Sequence, residues 1–154
     1  MDEENKKTNS LISLFETKKS LTITLLRARE SLMMSFRPLL AKHNFTEQQW
    51  RVLRVLGEKG PCDAGQLATE ACILSPSLSR IINTLIENNF IFKKEDLSDK
   101  RKIILEISDE GKLKLESIKP EYLAILKSIQ KRYGEDKINK ILDLLTEVID
   151  WRSR

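Results

Sequence analysis

The sequence predicts a mainly α-helical chain carrying one small β-hairpin, and three observations predict it. Apolar residues recur at helical steps through most of the 154 residues. Helix-start signals stand at Thr46-Glu47-Gln48-Gln49, Asp63-Ala64-Gly65-Gln66, Ser75-Pro76 and Ser108. One β-branched and aromatic region, Phe90-Ile91-Phe92-Lys93-Lys94 and then Ile103-Ile104-Leu105-Glu106-Ile107, encloses a charged turn.

Residues 1–19 read as an N-terminal arm. It begins polar and carries Leu11-Ile12-Ser13-Leu14-Phe15, too short a run to form a core. Docking on a partner subunit is the expectation, and a frayed terminus is the alternative. Residues 20–45 hold a first helix, from Ser20 to about Lys42, with Leu21, Leu25, Ala28, Leu32, Phe36 and Leu39 on one stripe and Pro38 as a kink or break. Arg29 falls inside that stripe, so a charge on a buried face is expected there.

Residues 46–107 form the next region. Its first helix starts at Glu47, carries Trp50, Leu53 and Leu56, and ends at Gly57 and Gly60-Pro61. A short helix, Ala64 to about Ala71, follows the second capping box. Ser75 is expected to cap the fourth helix of the chain with Pro76 at its first position, where a missing N–H costs nothing. That helix should bury Leu78, Ile81, Ile82, Leu85 and Ile86 and leave Ser77, Ser79, Arg80, Asn83 and Thr84 on or near the other face. Short helix, brief turn and second helix with a polar outer face is a helix-turn-helix, and the two-stranded hairpin behind it is a wing. Ile103, Leu105 and Ile107 should alternate inward, with Asp96-Leu97-Ser98-Asp99-Lys100-Arg101 at the tip.

Residues 108–154 predict a long helix after Ser108, with Leu113, Leu115, Ile118, Tyr122, Ile125, Leu126 and Ile129 on its apolar face and Pro120 kinking or dividing it. Tyr133-Gly134 ends it. A last amphipathic helix carries Ile138, Ile141, Leu142, Leu145, Val148, Ile149 and Trp151. The two ends hold more apolar surface than a small monomer buries, which predicts a homodimer.

Composition sets outer bounds. With 27 Lys and Arg against 23 Asp and Glu the net charge is +4, a modest bias toward an anionic partner whose placement matters more than its sum. No apolar run is long enough for a membrane span, and Met1-Asp2-Glu3-Glu4-Asn5-Lys6-Lys7 lacks a signal-peptide core, so no membrane partner and a cytoplasmic location are expected. Cys62, Cys72 and the one histidine, His43, are too few for a structural zinc site, so reduced thiols and no metal are expected. The chain shows no nucleophile–base pair, no glycine-rich phosphate loop and no catalytic carboxylate pair, so neither an enzyme nor a cofactor is expected.

At the fourth helix the first-turn amides would meet a phosphate while Ser75, Ser77, Ser79, Arg80 and Asn83 reach further. Arg80 is the expected base reader, with a plain phosphate contact as the alternative. Lys93, Lys94, Lys100 and Lys102 would supply phosphate contacts, and Asp96 and Asp99 would orient Arg101 at the tip before DNA arrives.

The run Asp96-Leu97-Ser98-Asp99-Lys100-Arg101-Lys102, leading into Leu105-Glu106-Ile107-Ser108-Asp109-Glu110-Gly111, resembles the wing signature of the MarR family of winged-helix transcription regulators. The likeness extends from about Ser20 to Trp151. Leu25-Leu26-Arg27-Ala28-Arg29-Glu30, Phe36-Arg37-Pro38, His43-Asn44-Phe45-Thr46-Glu47-Gln48-Gln49-Trp50-Arg51 and Ala71-Cys72-Ile73-Leu74-Ser75-Pro76-Ser77-Leu78 are similar to members that govern degradation of aromatic acids. The resemblance implies an obligate homodimer on a pseudo-palindromic double-stranded DNA operator, with recognition helices in successive major grooves and a wing arginine in the minor groove. Arg101 is retained, whereas Ser98 stands where many members carry a further arginine.

The resemblance also implies an effector pocket between the first two helices and the long helix, and a phenolic acid such as 4-hydroxyphenylacetate as ligand. Arg29 would take its carboxylate, Trp50 a ring face, Arg54 a second charge contact and His43 the phenol hydroxyl, with Ser31 and Ser35 at the rim. Each has a plainer alternative: Arg29 paired to a helix acid, Trp50 as core, His43 as a loop residue. Two other functions stay open, a thiol-based redox sensor of the same fold using Cys62 or Cys72, and a helical adaptor that binds no DNA.

Overall fold

The computed structural model of the chain describes residues 16–96, 99 and 102–150. Its elements in order are α1 (Leu21–Lys42), α2 (Glu47–Lys59), β1 (Cys62–Asp63), α3 (Ala64–Glu70), α4 (Ser75–Glu87), β2 (Ile91–Glu95), β3 (Ile103–Ile107), α5 (Asp109–Tyr133) and α6 (Glu135–Asp150). The chain divides into two units, residues 1–38 and 39–154. Each is taken by itself.

In the first unit α1 holds Leu21, Leu26, Leu32 and Met34 in the open, while Phe36 is buried. The helix continues through Pro38 to Lys42 without a break.

The second unit begins with two reciprocal caps. The Gln49 amide donates to Thr46 Oγ1 at 3.1 Å and the Thr46 amide donates to Gln49 Oε1 at 2.9 Å. The same exchange joins Gln66 and Asp63, at 2.9 and 3.2 Å. Such caps satisfy first-turn amides and are worth about 1 kcal/mol each. Helix α2 passes through Gly57 and stops at Gly60, whose φ of 82° suits a residue without Cβ. The core gathers Trp50, Val52, Leu53 and Leu56 of α2, Leu67 of α3, Leu78, Ile81, Ile82 and Leu85 of α4, and Ile91, Leu105 and Ile107 of the strands.

Helix α4 starts differently from expectation. Leu74 is the cap residue, its carbonyl accepting from the Ser77 and Leu78 amides, and no side chain caps the helix. Ser75 is therefore the first helical residue, and Pro76 sits one place further in, where its missing N–H is still among the unpaired ones. Ile86 is half-buried rather than buried.

The hairpin is also larger than expected. Its sheet has three strands in the order β1-β3-β2, all antiparallel, with Cys62 opposite Leu105 and Asp63 opposite Ile104. Two residues are too few to display a strand period, and the capping box of α3 begins on the second of them. Ile103 is exposed instead of inward-facing, because it pairs with Glu95 beyond the reach of β1.

Helix α5 is continuous through Pro120. Its start is tied to the end of the recognition segment: Ser108 Oγ donates to the Asn89 carbonyl at 2.6 Å, and the Ser108 amide donates to the Phe90 carbonyl at 3.0 Å. Gly111 lies so close that a Cβ there would stand 2.2 Å from the same Phe90 oxygen. Of α5 only Gly111 and Ile118 are buried, and α6 buries nothing. Leu113, Leu123, Leu126, Ile141, Leu142, Leu144, Val148 and Ile149 stand exposed. Trp151 and residues 1–15 lie outside the described residues.

Candidate nucleic-acid interface and effector pocket

Helices α3 and α4 make the helix-turn-helix, and an arginine on α2 fixes the turn between them. Arg51 Nη1 donates to the Ala71 carbonyl at 2.8 Å and the Cys72 carbonyl at 3.2 Å. A guanidinium on the carbonyls of the C-cap of α3 and of the residue after it complements the negative end of the helix, beside Cys72 at φ 50°, where the chain turns into α4. Arg51 Nε is itself buried without a hydrogen-bond partner among the described residues. Sequence reasoning passed over Arg51, because the carbonyls it serves lie 20 and 21 residues away.

Ser75, Ser77, Ser79, Arg80 and Asn83 are all exposed on α4. Thr84 Oγ1 donates to the Arg80 carbonyl at 3.1 Å and Asn88 Nδ2 to the Thr84 carbonyl at 2.7 Å, so these two serve the helix itself. Lys94 forms an ion pair with Glu106 on the neighbouring strand and lies 5.2 Å from the Phe92 ring centroid. Its charge is already matched within the hairpin. Lys93 and Lys102 are exposed. At the turn the Asp99 amide donates to Asp96 Oδ1 at 3.1 Å, the Lys102 amide to the Asp99 carbonyl at 2.8 Å and the Asp96 amide to the Lys102 carbonyl at 3.1 Å. Asp96 thus shapes the turn through a backbone amide. Lys100 and Arg101, the expected tip cations, lie outside the described residues, as do Leu97 and Ser98.

For the effector, the first unit places Arg29, Ser31 and Ser35 on exposed positions of α1. Arg29 Nη1 donates to Glu30 Oε1 at 2.6 Å, and Arg37 reaches the other oxygen of the same carboxylate at 2.5 Å. The buried charge expected at Arg29 is not found within the chain: its surroundings on α1 are open, and a helix acid meets it.

In the second unit Trp50 is 5% exposed. It meets the edge of Phe45 at 5.9 Å and the tilted ring of Tyr122 at 5.7 Å. Its indole N–H, a donor with nothing else to do, has no hydrogen-bond partner among the described residues. Arg54 Nη1 donates to the Tyr122 hydroxyl at 3.1 Å, with its guanidinium 5.2 Å from that ring's centroid. Trp50, Arg54 and Tyr122 line an open cavity of about 370 Å³ between α2 and α5, with Leu115, Leu123 and Leu126 as apolar wall and Glu58, Glu116 and Lys119 at the rim. Tyr122 was legible only as an apolar-face residue of a long helix. Its role here comes from a helix-to-helix contact 68 residues apart in sequence.

His43 does not line that cavity. Its Nε2 lies 3.1 Å from Glu121 Oε1, and Lys42 Nζ lies 2.8 Å from Glu121 Oε2. Hydrogen bonds from Lys42 and His43 hold the Glu121 carboxyl below the usual carboxylate range. The cluster pins the corner after α1 to α5.

Residues 45–103 match the model of the MarR family. Over 130 residues the chain is 35% identical to the homoprotocatechuate degradative operon repressor of Escherichia coli, covering 84% of this chain and 88% of that one. The chain belongs to the MarR family.

A second relative, the HTH-type transcriptional regulator FarR of Neisseria gonorrhoeae, is 38% identical over 129 residues, with 84% of this chain and 88% of the relative covered. Among solved structures, NadR in complex with 4-hydroxyphenylacetate superposes with a TM-score of 0.77 at 38% identity, over 84% of this chain and 92% of that one. In MarR terms α3 and α4 are the helix-turn-helix, β2 and β3 the wing, and the protein is a DNA-binding transcription regulator rather than an enzyme. Among the described residues no three His, Cys, Asp or Glu side chains gather as a metal site, and no helix is long and apolar enough to cross a membrane. Cys62 and Cys72 are both free. Burial pushes the Cys62 thiol up, helped by Asp63 and Glu70, which disfavours the reactive thiolate.

Proposed function

We propose that the protein is a homodimeric repressor in the cytoplasm that leaves a pseudo-palindromic operator when a phenolic acid fills the α2–α5 cavity, and that it controls aromatic catabolism. The observation that carries the effector is Trp50. A buried indole N–H without a partner costs free energy, and the Trp50 side chain lines a cavity with a second aromatic ring and an arginine. A planar ring would stack between such walls, and a carboxylate would pair with Arg54, whose guanidinium spends one N–H on Tyr122. Lys119 is less available, being paired to Glu116 at 3.0 Å. NadR, similar to this chain, was solved with 4-hydroxyphenylacetate, which supports that ligand class.

The proposal gives Arg80 the base contact, Lys93 and Lys102 phosphate contacts, Arg101 the minor groove, and the exposed faces of α5 and α6 the dimer interface. Binding must favour one spacing of the two recognition helices over the other for release to follow, with couplings of about 1 to 3 kcal/mol being typical. Calorimetry with 4-hydroxyphenylacetate on wild type and Arg54→Ala tests the effector site. The expected result is saturable heat for wild type and binding about tenfold or more weaker for the variant. Equal binding by the two removes the cavity from the mechanism.

A further inference from the structure

Leu74 is 80% exposed and sits at the cap of the recognition helix. Single exposed leucines are ordinary on protein surfaces. This one breaks a second rule as well, because the cap position favours Ser, Thr, Asp or Asn, and here no side chain accepts from the first-turn amides. The neighbouring geometry explains why Leu74 cannot turn inward. Arg51 holds the Ala71 and Cys72 carbonyls, Ala71 and Ile73 are buried, and Leu74 is extended at φ −66°, ψ 136°, so the side chain after Ile73 points out. It therefore stands beside Ser75 and Ser77 at the end of α4 that enters a major groove in helix-turn-helix docking.

We infer that Leu74 is a specificity-determining residue that reads a thymine by packing on its C5-methyl group. The major-groove edge of thymine carries that methyl beside one acceptor, and apolar side chains recognise it. A serine at this position would cap the helix and favour any base. A leucine gives up the cap and gains an apolar surface facing the groove, a local rule broken where contact is made.

This inference rests on the proposed DNA reading, and the test separates the two. Duplexes are enriched from a random-sequence pool by the wild-type protein, and each thymine is then replaced in turn by uracil, which removes the methyl and keeps every hydrogen-bonding group. At one position in each half-site, uracil should weaken wild-type binding about three- to fivefold, the loss that follows from one buried methyl. Leu74→Met should show the same loss. Leu74→Ser, which restores a capping oxygen and so stays folded, should bind thymine and uracil duplexes alike. If no thymine shows a dependence on residue 74, the inference is overturned while the DNA reading stands. If wild type enriches no duplex, both are overturned.

Discussion

Helices α4 and α6 carry the same kind of apolar stripe and meet opposite fates. In α4, Leu78, Ile81, Ile82 and Leu85 are buried; in α6, Ile141, Leu142 and Val148 are exposed and Ile149 is 73% exposed. Amphipathic spacing says that a face will be covered and leaves open by what. The face of α4 finds its cover in α2, α3 and the strands of its own chain, whereas that of α6, with Ile138 and Leu145 half-buried and no residue buried, stays mostly open. A second copy of the chain is the proposed cover, and then the stability that α6 contributes rises with the logarithm of protein concentration.

Variants that break this contrast rank by size. Ile141→Asp combined with Leu142→Asp should convert dimer to monomer in sedimentation at micromolar protein, and operator affinity should fall by about 100-fold or more as two linked contacts become one. A wild type that sediments as a monomer would remove the contrast. Leu85→Ala should cost about 2 to 5 kcal/mol in urea unfolding, with the cavity left in a core that barely relaxes. Arg51→Ala, which unpairs the Ala71 and Cys72 carbonyls, should cost about 1 to 3 kcal/mol by the same measurement, with the recognition-helix amides showing the larger rise in hydrogen exchange.

The smallest effect is at Glu121, whose carboxyl is lowered by Lys42 and His43. A lowered folded value means that the contact contributes fully above the usual glutamate range and is lost as pH falls through the lowered value. Thermal melts between about pH 7 and about pH 3 should therefore fall less steeply for Glu121→Gln than for wild type. Identical acid limbs would show that the cluster carries no stability.

The parts legible in the sequence are those decided by near neighbours. Thr46 with Gln49, and Asp63 with Gln66, announce their helices because a cap is settled within four residues. The recognition helix was readable from its apolar spacing and from Pro76, and Ser75 was misplaced by one residue because no side chain caps that helix and the turn before it is set by Arg51 from another helix. Strand β1 escaped notice because Cys62 and Asp63 become a strand only against Leu105 and Ile104. Trp50 and Arg54, which line the α2–α5 cavity, could be paired from the sequence because they lie one turn apart on one helix. Tyr122 and Glu121 acquire their roles from partners 68 or more residues away, a distance over which spacing carries no information.

Gly111 deserves its place for a mechanical reason. With a Cβ excluded by the Phe90 carbonyl, and Ser108 bonded to both Asn89 and Phe90, the base of α5 is welded to the segment that leaves the recognition helix. A helix of 25 residues is about 37 Å long, so a tilt of about 5° at that base sweeps its far end through about 3 Å. In the proposed release of the operator the long helix would act as a gear between scales, exchanging a broad, shallow displacement at its far end for a small rotation where it joins the reading head.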